Sequence, residues 1–340
     1  MKERLRDLAS RGIVIAGLSA LGREMKRHEG TLILYGHRVA DDDEGYLQGL
    51  SPQWLDAQMA YLARHYEVIA LSTLVACLEQ GRQPPRRSVV VTFDDGFRDN
   101  LERALPILER HRIPATVFVV TRSLTTGELP WSERLGVILQ TTPVSEFMHP
   151  CLGEEPWQFS DERSRHVAYL HFKHALAVME RESRDAILEA LAEQLEVLLP
   201  DNRMLDWAGA RQWLAGGGEV GGHGYSHALL GRVPITEAHA EIRRCKKDLE
   251  ACLGLERPAF CLPGGSHDTA VLEAVKAQGF RSCFVPNIRK RYNTLMNADP
   301  FTLSRVGLPN APRHHLEAEL DGPFHFMRQA YHRLVPSVRV

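Results

Sequence analysis

The hexapeptide VTFDDG, Val91 to Gly96, sets two aspartates side by side at the end of an apolar run. The run itself, VVVTFDD from Val89, reads as a buried strand, since β-branched and aromatic residues fill it without a polar break. Adjacent carboxylates raise each other's pKa unless a cation lies near. Two readings stand at this point: an Asp-Gly turn, or a strand tip that holds a cation and does chemistry.

The segments around this strand alternate in type. Upstream, TLILYGHRV (31–39) and EVIAL (67–71) read as strands, with a Ser-Pro-initiated helix at 51–66 between them and a helix closed by Gly81 after them. Downstream, NLERALPILERHR (100–112) reads as a helix and ATVFVV (115–120) as a strand. The alternation pauses near Thr121 and resumes near Asp206 with helix 206–217, strand EVGG (219–222), helix 235–254, strand AFCLP (259–263), helix 269–279 and strand RSCFV (281–285). Strands separated by helices predict parallel βαβ units. About seven such units predict an α/β fold, a distorted (β/α)7-type barrel whose chemistry sits at the C-terminal strand ends. Residues 121–205, with two helical patterns and many charges, are expected to be a helical insertion.

The expected organisation is an N-terminal amphipathic helix over 1–30 and a catalytic domain over 31–340. The apolar patch Gly12 to Gly22 is far short of the roughly 20 residues of a membrane span. Glu3 and Asp7 are unusual in a signal segment, and no A-x-A cleavage site follows. The helix is therefore expected to rest on a membrane face or on the protein's own body. Forty-one Lys plus Arg against 43 Asp plus Glu leave a net charge of −2, so no basic field invites nucleic acid, and IRKRY (288–292) reads as solvated loop charge. Six cysteines without a C-x-x-C pair predict reduced thiols and a cytoplasmic setting, with peripheral membrane association open.

A candidate partner for the aspartates is GGHGYSH, Gly221 to His227. His223 and His227 are four apart, so one helical turn would bring both imidazoles to one side. Two imidazoles and a carboxylate make a three-ligand site with an open position.

TFDDG followed by HGYSH resembles the polysaccharide deacetylases of carbohydrate esterase family four, which include chitin and peptidoglycan deacetylases. The similarity runs from about Thr31 to Leu308, with 121–205 outside the common core. The resemblance implies that Asp95, His223 and His227 hold a divalent metal, usually Zn2+, and that Asp94 is the general base. Gly264 matches the residue whose backbone N–H faces the oxyanion, with Pro263 shaping that turn. Two departures stand out. CLPGG (261–265) puts Cys261 where the family often has the Arg that orients the base, and FTLSRVGLPN (301–310) lacks the late His that serves as general acid. His37, at a strand end, is the expected substitute ahead of His314 and His315, and Arg305 is read as a substrate contact or, preferably, an ion-pair partner of an acidic site residue. The implied activity is metal-dependent removal of an N-acetyl group from an amino sugar of a bacterial surface glycan, exopolysaccharide or precursor. The alternatives are an O-acetyl esterase or deformylase, and a non-catalytic glycan-binding protein on this scaffold.

Overall fold

The structure is a computed structural model and describes residues 2–25, 30–41, 49–149, 155–286, 292–296 and 299–322. Cys151 and Ile288 to Arg291 of the IRKRY cluster lie outside the described residues. The other five cysteines are free thiols.

In chain order, the elements before the first strand are α1 (Lys2–Ile15) and α2 (Leu18–Met25). Then come β1 (Leu32–Gly36), α3 (Pro52–His65), β2 (Glu67–Val68), α4 (Leu71–Glu79) and β3 (Ser88–Phe93). A π-helical turn, Asn100–Ala104, leads into α5 (Leu105–His111), followed by β4 (Ala115–Val119). The wide turn sits just before Pro106, whose ring and missing N–H disrupt an ordinary α-helical ladder. The insertion supplies α6 (Thr121–Thr126), α7 (Trp131–Thr141), a small hairpin of β5 (Glu146–Phe147) and β6 (Trp157–Gln158), α8 (Glu162–Leu176) and α9 (Arg181–Gln194). The alternation then resumes with α10 (Trp207–Ala215), β7 (Glu219–Gly222), α11 (Ile235–Leu253), β8 (Ala259–Cys261), α12 (Thr269–Ala277), β9 (Ser282–Phe284), β10 (Val306–Gly307) and α13 (Arg313–Leu320). Side-chain caps start three of these helices where the sequence offers Asp: Asp161 for α8, Asp206 for α10 and Asp268 for α12.

The main sheet is parallel throughout, in the order β10-β1-β3-β4-β7-β8-β9, with β2 beside β3. The stretch Leu303–Gly307 joins its two edges. Leu303 bridges Phe284 on β9, while Val306 pairs with Leu34 on β1. This is the curled α/β barrel expected from the alternation, with shorter strands than the apolar runs suggest.

Side-chain alternation explains what faces where. Val89, Val91 and Phe93 pack in the large cluster that includes α3, α5, α10 and α11, whereas Val90 packs with Ile33, Phe118, Cys261 and Phe284 in a separate inner cluster. Thr92 and Asp94 continue the Val90 row. On β7 the same parity runs from Gly221 to His223. A Cβ on Gly221 would lie 2.4 Å from the Phe118 ring, so glycine there lets the ring fill the interior beneath the imidazole.

The insertion has its own apolar cluster, centred on Trp131, Leu135, Phe172 and Leu188. Although the resemblance leaves it outside the family's common core, the insertion touches the histidine loop directly. The backbone N–H groups of Thr121 and Arg122 donate to the carbonyls of Gly224 and Tyr225, and the Trp131 indole donates to the His227 carbonyl at 2.9 Å. The insertion therefore buttresses the GHGYSH loop.

Candidate metal and catalytic site

β3 ends at Phe93, and the next two residues diverge. Asp94 keeps the ladder, its N–H donating to Gly36 O at 2.9 Å. Asp95 turns into the left-handed region (φ 71°), which Asp tolerates better than most residues and which swings its carboxylate away from that of Asp94. Both side chains are buried.

His223 and His227 reach Asp95 without the helical turn anticipated for them. Residues 223–227 form an irregular loop, with Gly224 at φ 79° and His227 at φ 63°. The glycine supplies a conformation that would strain any residue with a Cβ. Glu241 on α11 clamps the loop by accepting the N–H groups of Tyr225 and Ser226 and the Ser226 hydroxyl.

The result is a convergence on one atom. His223 Nε2 lies 3.3 Å and His227 Nε2 3.2 Å from Asp95 Oδ1, yet that oxygen is buried and receives no hydrogen bond. Ligands about 2.0–2.1 Å from a tetrahedral zinc ion stand roughly 3.3 Å apart, so the spacing suits a shared ion better than direct hydrogen bonds. His223 Nδ1 lies 2.8 Å from Cys261 O, an acceptor only, which places a proton on Nδ1 and turns Nε2 toward Asp95. Burial would lower the imidazole, but Cys261 and Asp95 raise it well above its ordinary pKa, so a cation bound there would displace the Nε2 proton. Burial would raise the Asp95 carboxyl, but the adjoining His223 and His227 hold it well below the usual range. Burial lowers His227 and favours its neutral, ligating form. The donor set thus fits a divalent cation.

Asp94 takes a different partner. Arg305 grips it with both arms, Nη1 to Oδ1 and Nη2 to Oδ2 at 2.7 Å each, and donates to Cys261 Sγ at 3.0 Å and Thr92 Oγ1 at 3.3 Å. The guanidinium stacks near the faces of Tyr35 and Phe284, centroids 4.6 and 5.0 Å away. Burial works to raise the Asp94 carboxyl, and Arg305 more than offsets it, leaving the pKa below the ordinary value. The preferred ion-pair reading of Arg305 meets its partner here, and the pair occupies the space beside Cys261.

His37 follows β1 at the same end of the barrel. Its carbonyl accepts from Asn100 Nδ2, and its imidazole is near enough to lower both site carboxyls. Pro263 and Gly264 form a turn after β8. Gly264 is exposed at φ 56°, and Pro263 Cγ faces Gly224 of the histidine loop. His314 and His315 are turned to Asp7 of α1 at 2.7 and 3.1 Å. Sequence reasoning missed Trp131, Glu241 and Lys173. Lys173, on α8, is partly buried, and desolvation lowers its pKa although Asp95 acts to raise it. None of the three stands in a motif, and only the fold brings them to the loop or its field.

A family model described as "Polysaccharide deacetylase" matches residues 81–283, more than half of the chain, and the chain belongs to that family. Among curated proteins, it is 31% identical over 70 residues to YxkH of Bacillus subtilis (strain 168), covering 20% of this chain and 25% of that one. It is 28% identical over 100 residues to the poly-beta-1,6-N-acetyl-D-glucosamine N-deacetylase of Escherichia coli (strain K12), covering 28% of this chain and 15% of that protein. The match thus spans a quarter or less of these relatives. Two solved structures share the fold. Deacetylase PplD of Streptococcus pyogenes, solved with acetate, has a TM-score of 0.57 at 15% identity, covering 84% of this chain and 96% of that one. IcaB from Ammonifex degensii has a TM-score of 0.56 at 18% identity, covering 86% and 97%.

Proposed function

We propose that the protein is a divalent-metal-dependent hydrolase that removes the N-acetyl group from an amino sugar in a bacterial surface glycan, exopolysaccharide or precursor. The observation that carries this reading is the unsatisfied Asp95 Oδ1 between two imidazole nitrogens, with a second, separately held carboxylate beside it. Family membership supplies the reaction class.

Asp95, His223 and His227 would hold the cation, zinc being the family's usual metal. Once bound, it supplies Lewis-acid polarisation of the amide carbonyl and a water acidic enough for a weak base to deprotonate. Asp94 is that base. Arg305 keeps it ionised at neutral pH and fixes its plane, so a carboxylate lone pair points toward the attacking water. The Gly264 N–H, on an exposed turn near the loop, serves as the oxyanion donor. His37 is assigned the proton donor to the leaving amine, in place of the late histidine that this chain lacks.

Purified protein offered N-acetylated saccharides should release acetate, lose that activity to a chelator and regain it with zinc. Asp94→Asn should abolish turnover while leaving metal content unchanged. Acetate released only from O-acetyl sugars, or formate from N-formyl sugars, would replace the reading by an esterase or a deformylase. Metal binding without turnover on any of them would leave a glycan-binding protein.

A further inference from the structure

The N-terminal helices dock on the body in the reverse of the usual sense. A surface helix normally buries its apolar stripe and shows its polar face to water. Here, among the described side chains of α1 and α2, the fully buried ones are two serines, Ser10 and Ser19. Asp7 is held by His314 and His315 of α13, Gly22 is pressed so close to the Asp321 carbonyl that a Cβ would overlap it, and Arg23 reaches the Tyr61 hydroxyl and the Asp321 carboxylate. Ile13 and Val14 are half-buried. The large aliphatics point out. Leu5, Leu8 and Ile15 of α1 and Leu18 and Leu21 of α2 make up five of the twelve exposed large apolar side chains among the described residues, a concentration in one short segment that scattered surface leucines would not produce. Leu8 is 66% and Ile15 85% exposed.

The spacing i, i+3 and i+10 puts Leu5, Leu8 and Ile15 on one face of α1, opposite Asp7 and Ser10. Setting aside Arg23, which faces Asp321, and Arg11, which pairs with Asp7, the segment's sequence still carries Lys2, Arg4 and Arg6 against Glu3 and Glu24. No helix among the described residues is long and apolar enough to cross a membrane. The exposed large apolar side chains of α1 and α2 are all aliphatic, without the Trp and Tyr that anchor protein–protein contacts. A short basic segment, fixed to its domain by polar contacts and showing a row of leucine and isoleucine, fits the boundary between headgroups and acyl chains.

We propose that the Leu5–Leu8–Ile15 face of α1, extended by Leu18 and Leu21, is a peripheral docking surface for an anionic lipid membrane. The inference does not depend on the deacetylase reading, because its readout is lipid binding. Full-length protein should co-float with phosphatidylcholine vesicles containing phosphatidylglycerol, less so with phosphatidylcholine alone, and added salt should weaken the binding. Leu8→Asp with Ile15→Asp should cut the bound fraction about tenfold or more, with melting temperature and acetate release from a soluble saccharide unchanged. No flotation of the wild type would overturn the proposal, as would equal binding by wild type and variant. A wild-type dimer in solution that the double variant converts to monomer, without vesicle binding, would instead assign the face to a second copy.

Discussion

Replacing Arg305 tests how the site keeps its base. The arginine side chain is 12% exposed and its partner's 4%, and the pair makes two 2.7 Å charge-assisted hydrogen bonds. Arg305→Met keeps much of the packing against Tyr35, Phe118 and Phe284 while leaving Asp94 without its counter-charge. Removing one partner of a buried pair costs roughly 3–5 kcal/mol, and the rim position puts this one near the lower end, about 3 kcal/mol. The sign of the pH dependence should also change. In the wild type Asp94 lies below its ordinary pKa, so its contribution is present above the ordinary carboxylate value and lost only as the pH falls through the lowered one. In the variant burial is opposed only by the weaker fields of His223 and His37, so the carboxyl rises and stability should decline as the pH increases. Denaturant titration at mildly acid and mildly alkaline pH, with zinc present, measures this. Turnover should drop about a hundredfold or more, because a mis-set general base loses most of its contribution. A relocation variant adds a control: Cys261→Arg combined with Arg305→Ala returns a guanidinium to the third-motif position, whose present Sγ lies 3.0 Å from Arg305 Nη2, and should recover part of the rate. If Arg305→Met keeps wild-type turnover and the wild-type pH slope, the assignment of Arg305 as the residue that positions Asp94 fails.

Two further outcomes follow from the geometry. His223→Ala or His227→Ala should lower zinc per chain, measured by plasma emission, along with activity; full metal occupancy in both would reject Asp95 and the two histidines as the ligand set. At the N-terminal helices, burial lowers His315, with the Asp7 hydrogen bond only partly offsetting it, so the unfolded chain takes up that proton first. Stability should therefore fall as the pH drops through about 6.5, the ordinary histidine value, and Asp7, lowered by His314 and His315, should lose its contribution at more acid pH. His315→Gln should flatten the first of these two declines in a thermal melt, and an unchanged profile would show that the histidine is not its source.

Much of the architecture was legible because period and chemistry agreed. An apolar run ending in Asp-Asp-Gly reads most simply as a buried parallel strand with a charged tip, and the Val90–Thr92–Asp94 row follows from pleat alone. The histidine loop was legible as a pair but not as a shape. A spacing of four suggests a helix, whereas Gly224 and the left-handed His227 fold the chain back on itself, and a glycine between two histidines does not announce which turn it makes. Barrel closure was hidden for another reason: β10 is two residues long, too short for any periodicity, and Leu303 pairs with one edge while Val306 pairs with the other. The insertion's charged helices gave no hint that Trp131 ends on the His227 carbonyl, since that hydrogen bond spans 96 positions. Such contacts are set by packing, which local pattern does not carry.

The seam between the sheet's edges has a bearing on when the molecule can work at all. Arg305 rides on the stitch itself, between the residue that fastens to the last strand and the one that fastens to the first. Any breathing motion that unzips Leu303 from Cys283 carries the guanidinium off with it and strands an acid in the mouth of an open ring. If Asp94 is the base proposed above, the closure of the barrel and the readiness of that carboxylate to accept a proton rest, in this chain, on the same residues.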